Sequence, residues 1–155
     1  MFDGNFAYRA IYKTLTDDET LMALVTAVIE GIYPREENTT DDPPADAYPF
    51  VNIVPQVRTP NYYNGDVTAT INGTIPVFCI QRFENNGSWG GDLGTIASRI
   101  DTLLHGQTIN VYDTDDETVI GRAYIHREAP IRERINDGVE YRWLGGNYSI
   151  STNKH

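Results

Sequence analysis

The segment Gly90-Gly91-Asp92-Leu93-Gly94-Thr95-Ile96-Ala97-Ser98-Arg99-Ile100-Asp101-Thr102-Leu103-Leu104-His105-Gly106-Gln107-Thr108-Ile109 passes from one backbone periodicity to another. Leu93, Ile96, Ala97, Ile100, Leu103 and Leu104 recur at helical spacing and give the segment one apolar face. Asp92 can cap its front end, and Gly106 can take the left-handed conformation that stops it. Ile109 then opens an extended run. A single well-punctuated helix after one long β-region and before another is an organisational signature. The helix itself carries no catalytic group.

Towards the N-terminus, residues 85–91 form a glycine-rich lead-in. Gly87, Gly90, Gly91 and Gly94 lack the Gly-Lys-Ser/Thr ending of a phosphate loop and the spacing of a dinucleotide site, so close backbone packing is their simpler meaning. Before them, Val67, Ala69, Ile71, Ile75, Val77 and Cys79 line one face of a long strand, which Gly73 and Pro76 are expected to bend or interrupt. Asn64-Gly65 marks a turn. Tyr48-Pro49-Phe50-Val51-Asn52-Ile53-Val54-Pro55 reads as a strand whose Pro55 suits an edge or a bulge. Residues 35–47 (Arg-Glu-Glu-Asn-Thr-Thr-Asp-Asp-Pro-Pro-Ala-Asp-Ala) are polar, acidic and proline-bearing, the composition of a long surface loop. Ala7, Ala10, Ile11 and Leu15 predict a first helix. Thr16-Asp17-Asp18-Glu19 matches a capping box that starts a second helix, with Leu21, Leu24, Val25 and Val28 inward. From Val28 to Tyr33 the chain takes on strand character until Pro34 ends it.

Towards the C-terminus, Ile109 and Val111 make one short strand and Val119 to Ile125 another, around the acidic turn 113–117. The alternation of Ile131, Glu133 and Ile135 with Arg132 and Arg134, and of Val139, Tyr141 and Trp143 with Glu140 and Arg142, predicts a closing hairpin. A three-residue loop at Asn136-Asp137-Gly138 would pair Ile135 with Val139, Ile131 with Trp143 and Arg134 with Glu140. Beyond Gly145-Gly146 the apolar parity moves to Tyr148 and Ile150, which predicts a bulge at that point.

Composition narrows the function classes. The 155 residues carry a formal charge of −10, with 40% apolar and 11% aromatic residues, as expected of one globular domain. An acidic surface repels phosphate backbones and disfavours a sequence-specific nucleic-acid binder. Lys13 and Lys154 are the only lysines, which leaves little scope for Schiff-base or phosphate-lysine chemistry. Cys79 is the only cysteine, so an internal disulfide is impossible. The first residues do not read as a signal peptide, and no apolar run approaches membrane-spanning length, so assembly in a cytoplasm is expected. On that expectation the glycosylation patterns at Asn38, Asn72, Asn86 and Asn147 are chance products of a polar surface.

No motif for chemistry survives scrutiny. A calcium loop beginning at Asp113 would need Gly and Glu where Thr118 and Tyr124 stand. His105, His126 and His155 are widely spaced, and no nucleophile motif accompanies them. Asp17/Asp18, Glu36/Glu37 and Asp41/Asp42 lie at helix starts or in loops, where acids are solvated or oppose a helix dipole. No catalytic residue, metal or cofactor is therefore expected. Candidate interaction residues remain. Arg127, Arg132, Arg134 and Arg142 make the last hairpin locally basic and able to bind an acidic partner, a second copy included. The stretch 58–65, with Arg58, Tyr62 and Tyr63, reads as a hairpin tip and a candidate interaction arm. Glu36, Glu37, Asp41 and Asp42 supply an acidic counterpart.

Taken in order, the Ile-Tyr-Pro end at 32–34, the acidic loop, Asp46-Ala47-Tyr48-Pro49-Phe50-Val51, the long hairpin, the Ile96-to-Gly106 helix and the Arg-rich closing hairpin resemble the tail-terminator (tail-completion) proteins among bacteriophage minor tail components. The resemblance spans nearly the whole chain, rests on pattern, and carries no active residue with it. It implies an α+β protomer, a mainly antiparallel β-sheet with two to three helices packed on one face, that serves as a non-enzymatic virion protein at the head-proximal end of the tail. Six copies would form a ring that caps the finished tail tube, meets a head or neck connector protein, and lets DNA pass without specific binding. Another head–tail junction protein, a small hydrolase with converging carboxylates or histidine, and a monomeric binding module are the alternatives.

Overall fold

The computed structural model describes residues 6–30, 48–54, 61–63, 66–83, 92–113, 115, 117–137 and 139–154. These form helices α1 (Phe6–Thr16), α2 (Glu19–Met22) and α3 (Asp92–Leu104) and strands β1 (Val28–Glu30), β2 (Phe50–Ile53), β3 (Asn61–Tyr63), β4 (Asp66–Phe83), β5 (Gln107–Tyr112), β6 (Val119–Asp137) and β7 (Val139–Lys154). The fold is α+β. Its sheet runs in the order β1-β2-β4-β7-β6-β5, with β3 also paired to β4. All described pairings are antiparallel except β1 with β2.

All three helices cover one face. Ala7, Ala10, Ile11 and Leu15 of α1 and Leu93, Ile96, Ile100 and Leu104 of α3 are buried against Val51, Ile53, Ile75, Val77, Cys79, Ile125, Tyr148 and Ile150 of the sheet. The helical spacing of these residues produces that layer, since each fully buried aliphatic side chain contributes about 1.5–3 kcal/mol. Gly106, with φ +71°, ends α3, and its amide bonds to the Ile125 carbonyl to bring the chain into β5. A smaller cluster of Phe50, Phe78, Ile80, Ile131 and Trp143 fills part of the opposite face, with Tyr48, Val54 and Tyr141 against it.

Several local expectations are corrected. The second helix is a single turn, and its N-cap is Asp18, whose carboxylate accepts the Leu21 amide at 2.8 Å. Thr16 belongs instead to α1, where its hydroxyl bonds back to the Tyr12 carbonyl. Strand β2 is interior, between β1 and β4, and all four of its residues are buried, so its apolar character reflects cover on both faces. Pro76 does not interrupt the β4–β7 ladder, which keeps one register from Thr70–Asn153 to Phe83–Glu140. The Pro76 carbonyl accepts the Val54 amide, so its missing N–H also faces the β2 side and costs the β7 ladder nothing.

The closing hairpin differs most. Val119–Ile125 and Ile131–Ile135 belong to one 19-residue strand, β6. Ile131 pairs with Gly145, Glu133 with Trp143, Ile135 with Tyr141 and Asp137 with Val139. The faces are those of the predicted alternation, but the register is displaced by two residues because pairing continues to Asp137. Strand β7 has no bulge at Gly145-Gly146. Its apolar residues change parity because Tyr141 and Trp143 serve the small cluster, while Tyr148 and Ile150 serve the helix-covered core. The irregularity lies across the ladder in β6, between Arg127 and Ala129.

Ile100→Ala, which opens a cavity under α3, is expected to cost about 2–5 kcal/mol, whereas Ser98→Ala on the exposed face should stay within about 0.5 kcal/mol of wild type. Urea unfolding checks both values, and equal effects would show the helix to be wrongly phased. A Cβ on Gly145 would lie 2.7 Å from the Phe78 Cβ and nearer still to the Val77 carbonyl oxygen. Gly145→Ala is therefore expected to abolish the cooperative melt. Gly146→Ala, where the flexible Arg127 stem is the nearest neighbour, should only lower the melting temperature.

Candidate functional site

Beyond Ile125, which pairs with Gln107, the described ladders leave β6 with β7 on one side only. This half of β6 and the facing end of β7 bring together the arginines of the closing hairpin. Residues opposite one another in an antiparallel ladder share a face. Arg132 (opposite Leu144) and Arg134 (opposite Arg142) therefore lie on the helix side with Glu140.

The three arginines are not equivalent. Arg132 and Arg134 are exposed. Arg142 is not available to a partner, contrary to its reading as part of a basic surface: only 3% of it is exposed. Its Nε and Nη2 donate to the two Glu140 oxygens, each at 3.0 Å. This fork occupies the carboxylate in the bidentate geometry that suits guanidinium. Arg134 reaches the same carboxylate from the rim at 3.4 Å with its side chain 58% exposed. The signal for Glu140 was present in its spacing, because residues two apart on a strand share a face. Which arginine would claim it depended on the register and on burial.

A second polar cluster joins α3 to the bulge. The Tyr148 hydroxyl donates to Asp101 Oδ1 at 3.1 Å, and Arg127 Nη1 lies 3.1 Å from the same oxygen. Burial, and then the Asp101 charge, push the Tyr148 phenol above its ordinary range. Arg127 reaches Asp101 by laying its stem over Gly146. His105 Nδ1 accepts the Arg127 amide hydrogen at 2.9 Å, and the His105 and His126 rings lie 4.8 Å apart. His126 lies within β6.

Elsewhere, acids and the thiol are committed to structure. Asp115 accepts from the amides of Glu117 and Thr118 and from the Thr118 hydroxyl. The Thr118 bonds above all lower its carboxyl to about 2. Cys79 is buried, its thiol donates to the Leu93 and Leu144 carbonyls, and burial pushes it up to about 12. Arg99 forks Asp18 from α3, with Nε at 2.9 Å and Nη2 at 2.6 Å, tying that helix to the α2 cap. Tyr62 and Tyr63 lie in β3, and Tyr63 pairs with Asp66 at the end of the β3–β4 hairpin. Arg58, Glu36, Glu37, Asp41 and Asp42 lie outside the described residues. Compared with protein-family models, characterised proteins and solved structures, the chain gives no match.

Glu140→Gln would leave the buried Arg142 charge uncompensated and is expected to cost about 3–5 kcal/mol by denaturant unfolding. A pH test isolates Asp18, whose carboxyl the Arg99 hydrogen bond holds below its ordinary value of 3.8. A folded value below the unfolded one stabilises the protein above the unfolded pKa, and that stability is lost as pH falls through the folded value. Asp18→Asn keeps an N-cap side chain but removes the charge. Its melting temperature should lie below wild type at neutral pH, with the gap closing below about pH 4. A gap independent of pH would remove the ion pair from the account.

Proposed function

We propose that this protein is a non-enzymatic structural component of a bacteriophage virion, a tail terminator that closes the finished tail tube as a ring. What supports the reading is an α+β protomer whose sheet, among the described residues, ends in two unlike edges. Strand β1 forms one, leading towards the acid-rich residues 35–47, and the half of β6 beyond β5 forms the other, bearing exposed arginines. A closed ring needs a heterologous interface, in which one patch meets a different patch on the next copy, and two unlike edges at opposite ends of a sheet meet that need. The pattern resemblance along the chain supplies the biological setting. The tail tube and a head or neck connector are the partners, and the acidic charge suits a lumen through which DNA slides without being held.

Six copies are the expected ring, with a native mass six times the 17.4 kDa protomer. The functional test is electron microscopy of particles assembled with and without the protein. Without it, tails are expected to overrun their normal length or fail to join heads. Tails of normal length joined normally to heads would overturn the assignment.

A further inference from the structure

We propose that Arg82 and Trp143, on the sheet face opposite the helices, form a binding site for a carboxylate ligand. The inference is independent of the ring reading above.

Two donors select the site. On β4 and β7, Ile80 pairs with Trp143 and Arg82 with Tyr141. Ile80, Trp143 and Tyr141 belong to the cluster on the side away from the helices, so Arg82 lies on that face too. Arg82 and Trp143 are diagonal neighbours across the two strands, about 7–8 Å apart, a span that an aromatic and a long side chain cover together. Trp143 is buried, and its indole Nε1 has no hydrogen-bond partner. Arg82 Nε is likewise buried without one. Buried polar groups are nearly always paired. Both groups donate and neither accepts, so they cannot satisfy each other, and the group that completes them is an acceptor.

Charge decides which acceptor. The chain has 22 acidic residues to 12 basic ones, so counter-ions are plentiful. Arg99 takes Asp18, Arg127 takes Asp101, and Arg134 and Arg142 share Glu140. Among the described residues, no carboxylate or carbonyl bonds the Arg82 guanidinium. Water would answer the indole and leave the guanidinium charge uncompensated, whereas a carboxylate answers both. Arg82 and Tyr141 are only half-buried, so the site lies at the rim of the small cluster, within reach of solvent. Glu133 is exposed and stands opposite Trp143 on this face, where its charge opposes a bound anion and limits the affinity.

The test is titration of the full-length protein with sodium acetate at neutral pH, followed by the NMR signals of the Trp143 indole N–H and the Arg82 Nε–H. Sodium chloride at equal ionic strength is the control. Acetate is expected to move both signals along one saturation curve, and chloride neither. Arg82→Lys keeps the charge but loses the planar fork, and should weaken acetate binding about tenfold with the melting temperature unchanged. Arg82→Gln should remove the response of the Trp143 signal, and Glu133→Gln should tighten binding. Should the Arg82 variants misfold, the wild-type titration and the exposed Glu133→Gln still decide the matter. A peptide C-terminus is a second source of the same group, so acetyl-dialanine forms the other arm. Tighter binding of the peptide assigns the site to a protein C-terminus, equal or weaker binding assigns it to a small free acid, and either result upholds it. Signals that stay still, or that follow chloride equally, would leave water as the acceptor and overturn the site. So would a saturable response that survives Arg82→Gln in a folded protein, or a Glu133→Gln variant that binds acetate no better than wild type.

Discussion

Strand β7 carries apolar side chains to one face at its start and to the other at its end, and Gly145-Gly146 is where the two halves meet. No side chain fits at Gly145, because the Val77–Phe78 backbone of β4 comes too close. At Gly146 the free volume is taken by the Arg127 stem of β6. Three strands therefore approach one another at a point where side chains are excluded. The ladders that β7 makes with β4 and β6 hold the centre of the sheet, and both apolar clusters depend on the register they keep.

The same point ties the sheet to its helices. The β6 irregularity beside Arg127 places that side chain over Gly146 and within reach of Asp101 on α3, where Tyr148 also donates. At the other end of the layer, Arg99 holds the α2 cap. These polar contacts orient the helices. The energy of the layer comes from the aliphatic face of α1 and α3, since an exposed ion pair contributes at most about 1 kcal/mol and each buried aliphatic residue more.

The two-sided use of the sheet also explains the charge arrangement. Where the helices cover the sheet, its side chains are apolar. Towards the hairpin end the helix-side positions pass to Arg132, Arg134, Glu140 and Arg142. Two of these charges, Arg142 and Glu140, are buried, and each serves as the other's counter-ion in fork geometry. The remaining arginines stay at the rim. A mixed set of charges is thus divided into a structural pair and a surface pair by depth alone.

The helical spacing of Ala7–Leu15 and Leu93–Leu104, the stop at Gly106, the alternation along the final hairpin and the inward Cys79 were legible in the sequence, because each depends on local periodicity or on one residue's backbone preference. So was the α+β class that these elements compose. The β6–β7 register, the bulge opposite Gly146 and the interior place of β2 were not legible, because each is chosen by contacts between segments far apart in the chain. The site followed the same division. Sequence pattern gathered Arg132, Arg134 and Arg142 on one face. Only the tertiary structure decided that Arg142 is buried against Glu140 while the other two face solvent, since depth is a property of the packed sheet and not of any residue's neighbours along the chain.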